Sequence, residues 1–84
     1  LLQNYPNPFN SQTVISFTIP KHGFVNISIF DMQGRKINEL LNKPFDNGTY
    51  EIKFDAGNLS SGIYFYTMSV NGQILKTNKF ILIK

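Results

Sequence analysis

Ser60-Ser61-Gly62-Ile63-Tyr64-Phe65-Tyr66-Thr67-Met68-Ser69-Val70-Asn71-Gly72-Gln73-Ile74-Leu75-Lys76-Thr77-Asn78-Lys79-Phe80-Ile81-Leu82-Ile83-Lys84 decides the fold. Two β-rich runs, Ile63–Val70 and Gln73–Ile83, flank Asn71-Gly72. A type I′ turn needs positive φ at both central positions, and Asn-Gly meets that need at the least steric cost. The two-residue turn predicts Val70 opposite Gln73, Met68 opposite Leu75, Tyr66 opposite Thr77 and Tyr64 opposite Lys79. Tyr64, Tyr66, Met68 and Val70 then share the core face. Phe80 and Leu82 have the wrong parity for that face. One extra residue returns them to it, so a β-bulge is expected near Thr77-Asn78.

Upstream, alternation marks the other strands. Thr13, Ile15, Phe17 and Ile19 share one face of a run closed by Pro20. Lys21-His22-Gly23 turns the chain into Phe24–Phe30, with Val25, Ile27 and Ile29 inward and Asn26 and Ser28 outward. Asp31-Met32-Gln33-Gly34 reads as a four-residue turn capped by Asp31, with Gly34 as the αL residue of a bulge. Arg35–Leu41 is expected to pair back with Ile37 inward. Asn42–Asn47, holding Pro44, reads as an irregular loop. Tyr50, Ile52 and Phe54 point inward from Thr49–Phe54, and Leu59 plugs the core from the Asp55–Gly62 loop. The Pro-rich lead-in, residues 1–11, holds Pro6 and Pro8, which exclude a helix. Its Tyr5 and Phe9 are expected to cap one end of the core. A polyproline ligand for another domain is the sharper alternative.

Length and composition set the frame. Eighty-four residues suit one small domain spanning 1–84, and folding at this size buries roughly 60–65% of the extended chain's surface. Eight Phe and four Tyr supply a core efficient enough to hold without staples. No window carries a helical period. The expectation is an all-β protein, a small antiparallel sandwich of six to seven strands with no helix. The absence of Cys removes disulfides and thiolate metal sites. A first residue other than Met and the lack of a leader suggest a segment of a longer chain, with nothing that spans a membrane. The net charge of +3 comes from basic residues with only Arg35-Lys36 adjacent, which fits solvated strand faces better than a nucleic-acid surface.

Chemistry is sparse. His22 is the only histidine and sits in a turn, so it lacks a second His or a Cys for nucleophilic catalysis. Asp46 with Asn47, or Asp55 with Asn58, offers oxygens to Ca²⁺, yet a tight site wants six or more. Three glycosylation triplets, at Asn26, Asn47 and Asn58, fall within what chance allows in an Asn-rich chain. No cofactor or metal is expected, and the domain reads as a non-enzyme. On the outward face, Ile63 and Phe65, with Phe30 on another strand, form a candidate contact surface unless loops or neighbouring strands cover it. An accessory module binding sugar or protein, or a spacer on a secreted hydrolase, is the alternative this surface leaves open.

Three blocks resemble a family. Asn4-Tyr5-Pro6-Asn7-Pro8-Phe9-Asn10 followed by Thr13–Pro20 is similar to the opening of the type A C-terminal sorting domain of the type IX (Por) secretion system. Val25–Arg35 resembles its middle block, and Leu59–Tyr66 with the closing hairpin resembles its end. The Ig-like domain of the flagellar hook-capping protein is related, but usually carries Trp-Asp-Gly where this chain has Phe54-Asp55-Ala56. The resemblance implies an Ig-like sandwich at the C-terminus of an exported protein of the Bacteroidetes type, following a catalytic or adhesive parent domain. It implies recognition by the outer-membrane translocon, removal by a sortase-like peptidase, and a secreted or cell-surface destination. By motif, recognition falls on Pro6, Asn7, Pro8, Gly62, Tyr64, Lys79 and Lys84. Gly62 and Tyr64 also have a plain structural reading, as a backbone bend and a buried anchor.

Overall fold

The computed structural model describes residues 1–8 and 11–84, so Phe9, one of the two expected core caps, lies outside the described residues. Seven strands follow one another: β1 (Leu2–Tyr5), β2 (Gln12–Ile19), β3 (Gly23–Phe30), β4 (Lys36–Phe45), β5 (Gly48–Asp55), β6 (Gly62–Val70) and β7 (Gln73–Leu82). They form two antiparallel sheets, β1-β2-β5 and β4-β3-β6-β7, and no helix occurs among the described residues. This is a small Ig-like β-sandwich.

Alternation builds its core. Ile15, Phe17, Ile19 and Phe54 of the three-stranded sheet meet Val25, Ile27, Ile29, Tyr66, Met68, Phe80 and Leu82 of the four-stranded one. Each buried side chain of this size contributes about 1.5–3 kcal/mol. Two aromatic groups divide the interior. Phe80 contacts Tyr64, Tyr66 and Phe54 at centroid distances of 5.3, 6.0 and 5.7 Å, while Phe17, Phe45 and Tyr50 cluster at 4.9–5.7 Å.

The chain changes sheets after β2, β4 and β5. Tyrosines grip the last two crossings. Tyr50 Oη donates to the Asp46 carbonyl (2.8 Å), and Tyr64 Oη donates to the Ser60 carbonyl (2.6 Å). A tyrosine early in a strand reaching four residues back is the corner device of Ig-type sandwiches.

The terminal hairpin turns as expected, with φ of 52° at Asn71 and 83° at Gly72. Its register differs. Val70 faces Gln73, but Met68 faces Lys76, Thr67 faces Thr77, Tyr66 faces Asn78 and Tyr64 faces Phe80. The extra residue is Leu75, so the bulge lies next to the turn and not at Thr77-Asn78. Phe80 and Leu82 reach the core as anticipated; the strand takes its kink where it has run past the core and packing resists least.

Three further expectations fail, two of them because β4 is an edge strand. Asn42–Asn47 is not a loop: β4 runs to Phe45, because an edge strand can hold Pro44 with its nitrogen away from the ladder. Ile37 is not inward but 38% exposed, since β4 carries extra residues at Ile37 and Leu40 against β3. Tyr5 is 80% exposed and caps nothing. Ser28 lies on the outer face yet is buried, its Oγ donating to Asn26 Oδ1. Asp31 caps its turn as expected, accepting from the Arg35 and Gln33 amides and pairing with the Arg35 guanidinium; the Arg35 amide leads in holding its carboxyl below the usual range.

The register predicts unequal costs for two apolar residues of β7. Phe80→Ala should lose about 3–5 kcal/mol in denaturant unfolding, whereas Leu75→Ala, at a half-exposed bulge, should cost less than about 1 kcal/mol. Equal losses would contradict the bulge position.

Candidate functional site

The singled-out residues gather around the C-terminal half of β7, from both ends of the chain. Asn7 lies beside its outer edge. Its Nδ2 donates to the Lys79 carbonyl (3.1 Å) and its Oδ1 accepts from the Ile81 amide (3.0 Å). A carbonyl and an amide two residues apart, both facing away from β6, are the pair that a neighbouring strand would engage. One side-chain amide therefore fills a strand-shaped slot opposite Phe80.

Asn78 continues the cover. Its Oδ1 accepts from the Lys79 amide (2.8 Å) while its Nδ2 donates to the Leu2 carbonyl (3.0 Å), tying β7 to β1. On the inner side, Tyr66 Oη donates to Asn4 Oδ1 (2.9 Å), and Asn4 Nδ2 reaches Thr13 Oγ1 and the Pro6 carbonyl, each at 3.3 Å. Thr13 Oγ1 donates to the same Pro6 carbonyl (2.8 Å). This buried polar chain fixes the turn that presents Asn7. Burial pushes the Tyr66 phenol up to about 12, with the Asn78 side chain pulling in the other direction.

Pro6 and Pro8 bracket Asn7 on the surface, exposed along with it. Gly62 pairs with Leu82, and Tyr64 with Phe80, on the strand next to β7. Crowding does not demand a glycine at position 62, since an added Cβ would meet only the Tyr64 ring at 3.9 Å; its φ of +159° sits at the border of what other residues adopt. Tyr64 is largely buried and stacks on Phe80, so only its corner hydrogen bond lies near the surface. Lys79 is exposed and projects from the outer face opposite Phe65. Lys84 closes the chain against the crossing before β6, its amide donating to Ser61 Oγ (3.0 Å) and its Nζ to the Gly57 carbonyl.

The outer face carries the apolar residues expected there. Phe30 and Phe65 are direct cross-strand partners, as are Ile63 and Ile81. Phe30, Phe65 and Ile81 are half-buried, and Ile63 is the most open of the four at 38%. A shallow depression beside Phe65 is lined by Thr77, Asn78 and Lys79. Among the described residues no group of three or more His, Asp or Glu gathers. His22 Nδ1 lies 2.9 Å from Asp46 Oδ1, both side chains in solvent.

Residues 3–84 match the model of a family described as the secretion-system C-terminal sorting domain. The chain belongs to that family. Comparisons with curated proteins and with solved structures find no significant match. The sorting domain is thus a C-terminal signal of type IX secretion, a kind of domain that the secretion machinery recognises on an N-terminally attached cargo and that is typically non-catalytic. Membership implies export to a secreted or cell-surface location. No helix among the described residues is long and apolar enough to cross a membrane.

Asn4, Thr13, Tyr66 and Asn78 were not singled out from the sequence as parts of this site. Their one signal was polar residues of hydrogen-bonding type inside strands, at positions where alternation asks for apolar ones.

The buried phenol gives a pH signature with a definite sign. A phenol raised to about 12 in the folded state keeps its proton while the unfolded chain loses it from about 10, so stability is full below pH 10 and falls as pH rises toward 12. The loss should be on the order of 2 kcal/mol in alkaline urea titrations. Tyr66→Phe should be less stable at neutral pH by about 1–3 kcal/mol, through the stranded Asn4 carbonyl, and should lack that alkaline decline.

Proposed function

We propose that residues 1–84 act as one folded, non-catalytic address that takes an attached cargo through the type IX outer-membrane translocon. A sortase-like peptidase then separates the domain, leaving the cargo secreted or held at the cell surface. Pro6, Asn7, Pro8, Gly62, Tyr64, Lys79 and Lys84 carry recognition, with Phe30, Ile63 and Phe65 as a secondary contact face.

One observation supports this reading above the rest: the Asn7 amide clasps the backbone of the last strand at Lys79 and Ile81. The opening and closing motifs of the family, 72 residues apart in sequence at this contact, become one continuous surface. A translocon reading that surface samples both ends of the domain together, so only a folded domain presents the address. The exposed Lys79 and Lys84 side chains supply charge there, while Tyr64 and Gly62 set the strand against which β7 lies.

Truncating Lys79–Lys84 would stop export for a trivial reason as well, because it removes Phe80 and Leu82 from the core. Point changes separate the effects. Lys79→Ala with Lys84→Ala should leave the melting temperature within a few degrees, since Asn7 bonds the Lys79 backbone and not its side chain. In cells with the type IX machinery, a passenger fused to that variant should accumulate in the periplasm, while the unaltered fusion reaches the medium or the surface. Undiminished export of the double variant would count against recognition at these lysines.

A further inference from the structure

Sheet edges invite pairing, and this protein treats the two edges of its larger sheet differently. The β4 edge is blunted by Pro44, by extra residues at Ile37 and Leu40, and by Lys36 and Lys43. The β7 edge also has a bulge, at Leu75, and two lysines, but no proline. Its Lys79 amide, Lys79 carbonyl and Ile81 amide are instead met by the side chains of Asn78 and Asn7. Side-chain amides copy what a backbone neighbour would offer, but they are exposed and can swing away.

Charge is also uneven. Residues 1–59 hold five basic side chains, Lys21, Arg35, Lys36, Lys43 and Lys53, and five acidic ones, Asp31, Glu39, Asp46, Glu51 and Asp55. The net charge of +3 therefore resides on Lys76, Lys79 and Lys84, all on or just after β7. Among the described residues, the ion pairs are His22–Asp46, Arg35–Asp31 and Lys36–Glu39, so Lys76 and Lys79 have no carboxylate partner.

We infer that the β7 edge at Lys79–Ile81 is a strand-addition site, that Asn7 is its removable latch, and that the occupant is an extended, acidic segment of a partner protein. The added strand takes the Lys79 carbonyl and the Ile81 amide in place of Asn7, while carboxylates on its two faces meet Lys79 on the outer side and Lys76 on the side of Met68. A second copy of this chain is the poorer occupant, because β7 against β7 sets lysines against lysines with no acid on either strand. The latch keeps the edge satisfied until the partner arrives, as edge protection requires. This deepens the export reading by naming how the last strand is held, and its test needs no export.

The experiment titrates the 84-residue chain with a synthetic peptide of about ten residues in which Val-Val and Glu-Glu pairs alternate, so that glutamates fall on both faces of the added strand, followed by backbone amide NMR. The Ile81 and Lys79 amides should shift, affinity should fall as salt rises, and the same peptide with alternate amides N-methylated should not bind. Asn7→Ala should bind about tenfold tighter, since two hydrogen bonds no longer compete. Unmoved Tyr66 and Phe80 signals would certify its fold. Lys76→Glu with Lys79→Glu, which leaves Asn7 in place, should reject the acidic peptide and accept its lysine counterpart. Equal affinity of wild type and Asn7→Ala, shifts confined to Phe30, Ile63 and Phe65, or no binding at all would overturn the inference. Dimerisation of Asn7→Ala without peptide would replace the partner by a second copy. Loss of export with peptide binding intact strikes the export reading alone, and the reverse strikes only this one.

Discussion

A phenol hydroxyl sealed inside an apolar sandwich must find a hydrogen-bond partner or cost about 1–3 kcal/mol. Tyr66 is fully buried, and its partner is Asn4, 62 residues earlier in the chain. That requirement draws β1 onto the sandwich and, through Asn4, Thr13 and the Pro6 carbonyl, sets the turn that holds Asn7 against β7. Core and surface are therefore coupled. A short polar chain begins at a buried phenol and ends at an exposed strand edge.

The proposed recognition rests on the same coupling. The proposed address is a surface composed of the lead-in, the last strand and the crossing before β6, which hydrogen bonds tie to one another. Phe80 is the hinge of this dependence. Facing inward it joins Tyr64, Tyr66 and Phe54, and by alternation it turns Lys79 and Ile81 to the outer face. Shape, charge and edge are thus fixed by one aromatic contact set.

Edge strands carry most of what alternation could not foresee. In β2, β3, β5 and β6 the inward sets Thr13-Ile15-Phe17-Ile19, Val25-Ile27-Ile29, Tyr50-Ile52-Phe54 and Tyr64-Tyr66-Met68 fall where period two puts them, because a strand with a buried face cannot slip by one residue without losing it. Strands β4 and β7, the edges of the larger sheet, have one free side and absorb extra residues at Ile37, Leu40 and Leu75, whereas β5, an edge of the smaller sheet, keeps a regular register. Those bulges undid the expected position of Ile37 and moved the kink of β7 toward the hairpin turn, while the free side of β4 let Pro44 sit within a strand.

The sequence by itself determined the all-strand class, the Asn71-Gly72 hairpin, the inward aromatics and the motifs of a type IX sorting signal, since each rests on local backbone preference or on a period that neighbours share. Only the tertiary structure decided that Asn7 lies on Lys79 and Ile81, that Asn4 meets Tyr66, and that Asn78 reaches Leu2. Polar side chains carry no period, and their pairing follows from which unsatisfied groups folding brings face to face.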